Sequence, residues 1–267
     1  MKSVLVSVAV LFVLTSPLSA QWTKDTSRKI PMTRDGKPNL SAPVPKAPDG
    51  KPDLSGVWFH DIDPNGKPAG VEQMVFSQYF VNVAADMKME DVPFQPWAKE
   101  LFFERLKSDG RESPATHCKP SSITVLNSVP IPHKIVQTPQ LVLILYEENT
   151  VFRQIFLDGR QPAKDAEPRY MGYSTGKWVG DTLVVETVGF NDKGWLDAMG
   201  HPHSDALRLT ERIRRRDFGH LDIETIINDP KAYTKPITYT QKTTLMAEDD
   251  LLEYFCSDNE KDVQHFK

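Results

Sequence analysis

The stretch GHPHSDALRLTERIRRR holds the side chains of this chain best suited to chemistry. His201 and His203 flank a proline, and Asp205 follows two residues later. Two imidazoles and a carboxylate can supply three ligands to a divalent metal such as zinc, with a fourth position open for water or substrate. Asp197 is an alternative carboxylate ligand. The competing interpretation is a solvated loop in which one histidine packs on Trp195.

The predicted strand after this loop, ALRLTERIRR, carries an acidic residue on its apolar face. Alternate residues of a strand share a face, so Glu211 faces the same way as Leu209. A buried carboxylate needs a partner or must take up a proton, and general acids and bases arise in such environments. We therefore predict His201, His203 and Glu211 as the catalytic candidates. The alternative is a structural salt bridge from Glu211 to an arginine of a neighbouring strand, such as Arg153.

Aromatic residues could line a binding site for an organic ligand. The predicted ligand-binding residues are Tyr173, Trp178, Phe190, Trp195 and Arg153. The alternative is that the aromatic rings only fill the volume of a β-rich core. A stretch GYSTG resembles a nucleophile elbow, but no helix is predicted after it. No Walker loop or G-x-G-x-x-G motif occurs, which disfavours nucleotide and dinucleotide chemistry.

The sequence after His133 predicts a series of short strands. HKIVQ, LVLILYEE, TVFRQIFLD, RYMGYSTGKWV, DTLVVETVGF, ALRLTERIRR, HLDIETIIND, ITYTQKTTLM and LLEYFCSD follow one another, separated by turn residues. Such short connections favour antiparallel neighbours, and a set of strands loses its exposed edges by closing. We therefore predict an all-β fold, an antiparallel up-and-down barrel, with a two-sheet β-sandwich as the alternative. One short helix is predicted in FQPWAKELFFERLK.

The N-terminal region predicts export followed by an extended arm. Residues 1–20 combine an early lysine, an apolar run and a small-residue segment, which is typical of a secretory signal peptide. The apolar run is too short to span a bilayer, so we predict a periplasmic or secreted protein with no integral membrane segment after signal removal. Residues 21–54 are rich in proline and predict an extended arm. Residues 55–267 are predicted to form a single β-barrel domain.

Cysteine content and charge limit the partners of the chain. Cys118 and Cys256 are the two cysteines. In an oxidising compartment such a pair predicts a disulfide, with two separate buried thiols as the alternative. The formal net charge of -4 shows no excess of Lys and Arg of the kind that binds phosphate backbones. We therefore expect a small-molecule ligand and no nucleic acid.

Several long motifs resemble those of a family of secreted acidobacterial and proteobacterial proteins. PDLSGVW, GKWVGDTLVVET and GHPHSDALRLTER are among them, and the resemblance runs from about residue 48 to residue 262. It implies one exported family domain and no particular reaction. Gly56, Val57 and Trp58 also resemble the G-x-W opening of lipocalins, which implies a barrel that can enclose one small ligand.

Two function hypotheses follow. The first is an exported β-barrel enzyme, a lyase, hydrolase or isomerase, that acts on a small organic molecule by acid/base or metal-assisted chemistry. The second is a lipocalin-like carrier of a small apolar or aromatic ligand. The titratable residues around His201 favour the enzyme, whereas apolar strands such as LVLILY favour the carrier.

Overall fold

A computed structural model describes residues 29–61, 82–84, 87–108, 110–162 and 165–256. The predicted signal peptide and the first residues of the predicted arm lie outside these ranges.

Nine strands form a closed barrel in the order of the chain. The strands are β1 Gly56–His60, β2 His133–Gln137, β3 Leu141–Tyr146, β4 Phe152–Phe156, β5 Tyr173–Val179, β6 Thr182–Val188, β7 Arg208–Arg215, β8 His220–Asn228 and β9 Ile237–Leu245. The α-helices are α1 Pro96–Lys107 and α2 Ile123–Leu126, and three-residue 3-10 helices lie at Met89–Asp91, Ala115–His117 and Glu148–Thr150.

Closure of the sheet confirms the barrel, but one strand pair departs from an up-and-down meander. Strands β4 and β5 are parallel, with Ile155 paired to Ser174, whereas every other neighbouring pair is antiparallel. A ring with an odd number of strands cannot alternate direction all the way round, so at least one pair must be parallel. The chain runs from one end of the barrel to the other between β4 and β5, so these two strands form the parallel pair.

The ninth strand of the barrel is not the one predicted from the sequence. LLEYFCSD forms no strand over its described residues 251–256, and Leu252 and Phe255 are exposed. Its expected place is taken by β1, which pairs with β2 and with β9. The physical reason is burial, because Trp58 of β1 is fully buried against the core, whereas Leu252, Tyr254 and Phe255 of LLEYFCSD are exposed.

The end of the barrel that we call the capped end is covered by α1, α2 and the loop 190–207. Helix α1 begins with Pro96, which suits a first turn, and buries Ala98 and Phe102. Helix α2 begins after Ser122, whose side chain accepts a hydrogen bond from Val125 N. Neither helix in the described part of the chain is long and apolar enough to cross a bilayer.

The predicted arm packs against the opposite end of the barrel over its described residues. Gly219 N donates to Leu40 O and Phe218 N donates to Ala42 O, each at 2.7 Å. A side chain at Gly219 would lie 2.4 Å from Leu40 Cβ, so this close approach requires glycine. Leu54, which the sequence assigns to the arm, is fully buried in the core. The proline-rich segment is therefore part of the folded body, because it covers the apolar end of an otherwise open barrel.

The two cysteines form the predicted disulfide. Cys118 and Cys256 are bonded, with their Cα atoms 5.5 Å apart and a separation of 138 positions in sequence. The bond joins the C-terminal segment to the connection between α1 and α2. It therefore fixes a segment that forms no strand.

Candidate functional site

Glu211 lies inside the barrel, as strand alternation predicts, and its partner there is Arg153. Both side chains are at most 1% exposed, and the guanidinium contacts both carboxylate oxygens, with Arg153 Nη1 donating to Oε1 at 3.0 Å. The remaining contacts of Arg153 are with Ser174 Oγ at 3.0 Å and Thr187 Oγ1 at 2.8 Å. The geometry matches the salt-bridge alternative for Glu211. The guanidinium of Arg153 is likewise engaged by the Glu211 carboxylate. Ser174, the serine of GYSTG, lies within a strand.

Asn127, just after α2, connects this charged pair to the rest of the interior. Its Nδ2 donates to Glu211 Oε1 at 3.3 Å, and its Oδ1 accepts from Tyr146 Oη at 3.0 Å. Its backbone carbonyl accepts from Gln241 Nε2 at 2.7 Å. We call Arg153, Glu211, Ser174, Thr187 and Asn127 the charged network. Sequence reasoning missed Asn127 because it lies in a segment predicted as a loop, and no local motif marks it.

The other side of the interior carries buried polar atoms that have no hydrogen-bond partner among the described residues. They are His60 Nδ1, His133 Nε2, Thr225 Oγ1, Tyr239 Oη and Gln241 Oε1. Each of these side chains is at most 8% exposed. They come from β2, β1, β9 and β8, which are consecutive around the barrel. We call this surface the open polar face.

The strand register makes the open polar face continuous. Thr225 pairs directly with Tyr239, and Gln241 follows two residues later on the same face of β9. His60 pairs with Thr243, the next inward residue of that strand. The ring of His133 lies 5.8 Å from that of Tyr146, which is bonded to Asn127. The open polar face therefore adjoins the charged network within one interior.

The titratable groups of the open polar face are held uncharged. Burial, with a smaller contribution from the neighbouring His60, lowers the pKa of His133 to about 4. Burial also lowers the pKa of His60 and raises that of Tyr239, although the Thr225 hydroxyl opposes the rise at Tyr239. At neutral pH this face has polarity without net charge.

Polar atoms that stay buried without hydrogen bonds lower the folding stability, and the open polar face has several of them. Each buried polar atom without a partner costs about 1–3 kcal/mol, so His60 Nδ1, His133 Nε2 and Gln241 Oε1 together cost about 3–9 kcal/mol. The Thr225 and Tyr239 hydroxyls can bond to each other and cost less, but the total is still a large share of the stability of a typical domain, about 5–15 kcal/mol. The open polar face must therefore contact water or another molecule in the folded protein.

His201 lies under the capped end, in a separate network. Its Nδ1 is 2.7 Å from Asp197 Oδ2, and its ring packs on Phe102 and Phe94 at centroid distances of 4.3 and 5.5 Å. The Asp197 carboxylate also accepts from the backbone nitrogens of Met199 and His201 itself. His201 Nε2 is buried with no partner in the described part of the chain. The alternative ligand Asp197 is thus an orienting partner of this imidazole.

The predicted metal ligands do not converge. His203 is buried, with Nδ1 3.1 Å from Ser204 O, and burial lowers its pKa. Asp205 is exposed and pairs with Lys231 at 2.7 Å. No group of three or more His, Cys, Asp or Glu side chains suited to a metal ion occurs among the described residues. The predicted zinc set of His201, His203 and Asp205 is therefore not assembled, because Asp205 points to solvent while both imidazoles are buried.

The predicted aromatic wall is also dispersed. Phe190 is fully buried beneath the capped end, whereas the partly buried Trp178 packs on the main core of the barrel. Tyr173 faces outwards from β5, since the next residue on that strand is the buried one. Trp195 is buried and lines a cavity at the rim. Phe190 and Trp178 thus fill core volume, whereas Trp195 and Tyr173 line two different cavities, the second of them together with Arg153.

Comparisons of the chain with protein-family models, with curated proteins and with solved structures give no match. The resemblance to secreted bacterial proteins therefore stays a prediction. What the protein does must be inferred from its own side chains, and among the described residues the barrel interior holds five of the buried polar atoms without a hydrogen-bond partner.

Proposed function

We propose that this β-barrel protein binds a small, uncharged molecule rich in hydroxyl groups inside its barrel. The observation that supports the proposal is the open polar face, whose five buried atoms have no partner among the described residues. A bound molecule that hydrogen-bonds to these atoms would remove a cost of several kcal/mol. The function is a variant of the lipocalin-like carrier, with a polar ligand in place of the predicted apolar one.

The chemistry of the open polar face selects the ligand class. The Tyr239 and Thr225 hydroxyls can donate, Gln241 Oε1 can only accept, and the neutral imidazoles of His60 and His133 do either according to tautomer. Hydroxyl groups both donate and accept, so they match such a mixed surface.

The pairing of the interior charges disfavours ligands that carry a net charge. The interior charges of Arg153 and Glu211 cancel each other, and each is already bonded to the other. A carboxylate, phosphate or ammonium ligand would be desolvated without a counter-charge, which is costly in a buried site. Barrels of eight strands can hold one small ligand, so a ring of nine strands is compatible with one, and the side chains around these fully buried atoms must move apart to admit it.

Binding of D-glucose, measured by saturation-transfer NMR and calorimetry, tests the proposal. We expect D-glucose to bind, and the equally sized ions D-gluconate and D-glucosamine to show no binding. Thr225→Val should weaken glucose binding roughly tenfold, the effect of one lost hydrogen bond of about 1.4 kcal/mol. Thr240→Val, on the exposed side of β9, is the matched control and should bind as the wild type does. No glucose binding, or equal binding by Thr225→Val, would overturn the proposal.

An enzyme remains a second candidate because of the pair formed by His201 and Asp197. An imidazole oriented through Nδ1 by a carboxylate, with Nε2 unpaired, is the arrangement of a general acid or base. Such a group must be reachable by substrate. Modification by diethyl pyrocarbonate should then occur at His201 as well as at the exposed His117. Modification of His117 alone would leave His201 as a packing residue.

We also propose that the protein works outside the cytoplasm. Residues 1–20 predict a signal peptide, and the disulfide suits an oxidising compartment. Fractionation of cells that express the full chain should find a product that begins near Gln21 in the periplasm or medium. A cytoplasmic product that retains residues 1–20 would contradict this.

A further inference from the structure

A cavity of about 380 Å³, which we call the rim cavity, lies beside the capped end. Its walls include Val125 and Val129 near α2, Trp195 from the loop 190–207, and Tyr254 from the C-terminal segment. None of the residues of the open polar face lines it. Its volume falls in the range of about 300–1,000 Å³ that is usual for small-molecule sites.

Glu148 is the polar group of the rim cavity whose hydrogen bonding is incomplete. It lines the cavity and is 6% exposed. Its Oε1 accepts from Ser121 Oγ at 2.7 Å, whereas Oε2 is buried and has no partner within the described ranges. Burial raises the pKa of Glu148, and the bond from Ser121 opposes the rise. Glu148 thus lines a mostly apolar cavity, and one of its carboxyl oxygens, buried behind the cavity wall, lacks a donor.

The second carboxylate at the cavity is already satisfied. Asp197 also lines the rim cavity, but its oxygens accept from the backbone nitrogens of Val83, Met199 and His201 and contact the His201 ring. Glu148 is therefore the acidic group left to receive a donor from a bound molecule. The other walls supply apolar and aromatic contact.

We propose that the rim cavity is a second binding site, which takes a small aromatic molecule with one N–H or O–H donor directed at Glu148 Oε2. The aromatic body would contact Trp195, Val125 and Val129, and the donor would complete the hydrogen bonding of the buried carboxyl. This site is independent of the proposed function, since its lining and its ligand chemistry differ from those of the barrel interior.

The disulfide holds one wall of the rim cavity. Cys256 and Tyr254 both line the cavity, and Cys118 anchors Cys256. The segment has a few further ties, such as Thr150 Oγ1 to Tyr254 O at 3.1 Å. Reduction should therefore loosen this wall and weaken binding at the rim, while the barrel interior, which is built from paired strands, keeps its ligand.

Fluorescence titration with N-phenylnaphthylamine, an uncharged aromatic amine with one N–H, tests the proposal. We expect its emission to rise on binding and its affinity to increase with pH as Glu148 ionises, because only the carboxylate is purely an acceptor. Glu148→Leu should lower the affinity about tenfold, and Glu148→Gln should remove the pH dependence. Val125→Trp, which fills the cavity, should abolish binding.

Matched controls separate a specific site from general apolar binding. Glu104→Gln and Val179→Trp, both at exposed positions, should bind the amine as the wild type does. Naphthol should displace the amine about tenfold better than methoxynaphthalene, which lacks the donor. Equal displacement by the two, or unchanged binding by Val125→Trp and Glu148→Leu, would overturn the rim site. D-glucose binding should be the same in these variants, so failure at the rim is distinguishable from failure in the barrel.

Discussion

The two sides of the barrel interior differ in whether their polar atoms are paired. In the charged network, Arg153 and Glu211 bond to each other, and Ser174, Thr187 and Asn127 take up further contacts. On the open polar face, five buried atoms from four consecutive strands have no partner among the described residues. Both sides are equally hidden from solvent, so burial alone does not separate them.

The difference shows which kind of polar group is available for a ligand. Arg153 and Glu211 are the most conspicuous candidates by charge, yet each has the other as its partner. The uncharged groups such as Thr225 and Gln241 carry the unused hydrogen-bonding capacity. If the proposed binding is right, the charged residues of this interior stabilise the barrel and the neutral residues contact the ligand.

The largest expected effect comes from breaking the charged network. Glu211→Gln should lower the free energy of unfolding by about 3–5 kcal/mol, because Arg153 then stays buried without its counter-charge. Chemical denaturation at neutral pH measures this loss. Glu224→Gln is the matched control, since Glu224 pairs with Arg212 in an exposed bridge and should cost less than about 1 kcal/mol. A loss as small as that of the control would show that the network is not structural.

The second-largest expected effect is a loss of folding stability at acidic pH, caused by His133 of the open polar face. The pKa of His133 is about 4 in the folded protein against an ordinary value of 6.5, so the unfolded chain binds the extra proton. Stability is therefore complete above about pH 6.5 and falls as the pH drops towards 4, by about 3 kcal/mol from this group. His133→Gln should remove that part of the pH dependence, and the exposed His117→Gln should not. Identical acid profiles for wild type and His133→Gln would contradict the assignment.

A smaller effect is expected where the charged network loses one neutral contact. Thr187→Val removes the hydroxyl that accepts from Arg153 Nη2 at 2.8 Å. The free energy of unfolding should fall by about 1–3 kcal/mol, the usual value for a hydrogen bond to a charged group. Thermal and chemical denaturation should agree on the loss. An unchanged stability would mean that Arg153 does not depend on this side of the network.

Strand alternation predicted the charged side of the interior well. Glu211 lies on the inner face with the apolar residues of β7, and Arg153, the example given for the salt-bridge alternative, is its partner. The partner reaches Glu211 across the interior from β4, however, and not from a neighbouring strand. Strand alternation predicts whether a side chain faces into the barrel. Which side chain it contacts across the interior depends on how the nine strands close into the barrel.

The open polar face was harder to predict for the same reason. His133, Thr225 and Gln241 lie on predicted strands, and their parity places them inside. Their neighbourhood depends on β1, which brings His60 between β2 and β9, and the sequence instead favoured LLEYFCSD as the last strand. The burial of His201 could not be predicted for a different reason. No local sequence pattern indicates that its ring packs between aromatic rings.

The most direct test of the difference between the two sides is the stability of Thr225→Val beside that of Thr187→Val. The two substitutions are chemically identical and both sites are at most 1% exposed. The Thr187 hydroxyl contacts Arg153 and Ser174, whereas the Thr225 hydroxyl faces the Tyr239 hydroxyl and keeps unused hydrogen-bonding capacity. In the absence of ligand, Thr225→Val should leave the free energy of unfolding unchanged or slightly raised, while Thr187→Val lowers it by about 1–3 kcal/mol. Equal losses in the two variants would mean that the Thr225 hydroxyl is already bonded within the protein, and the open polar face would not be a binding surface.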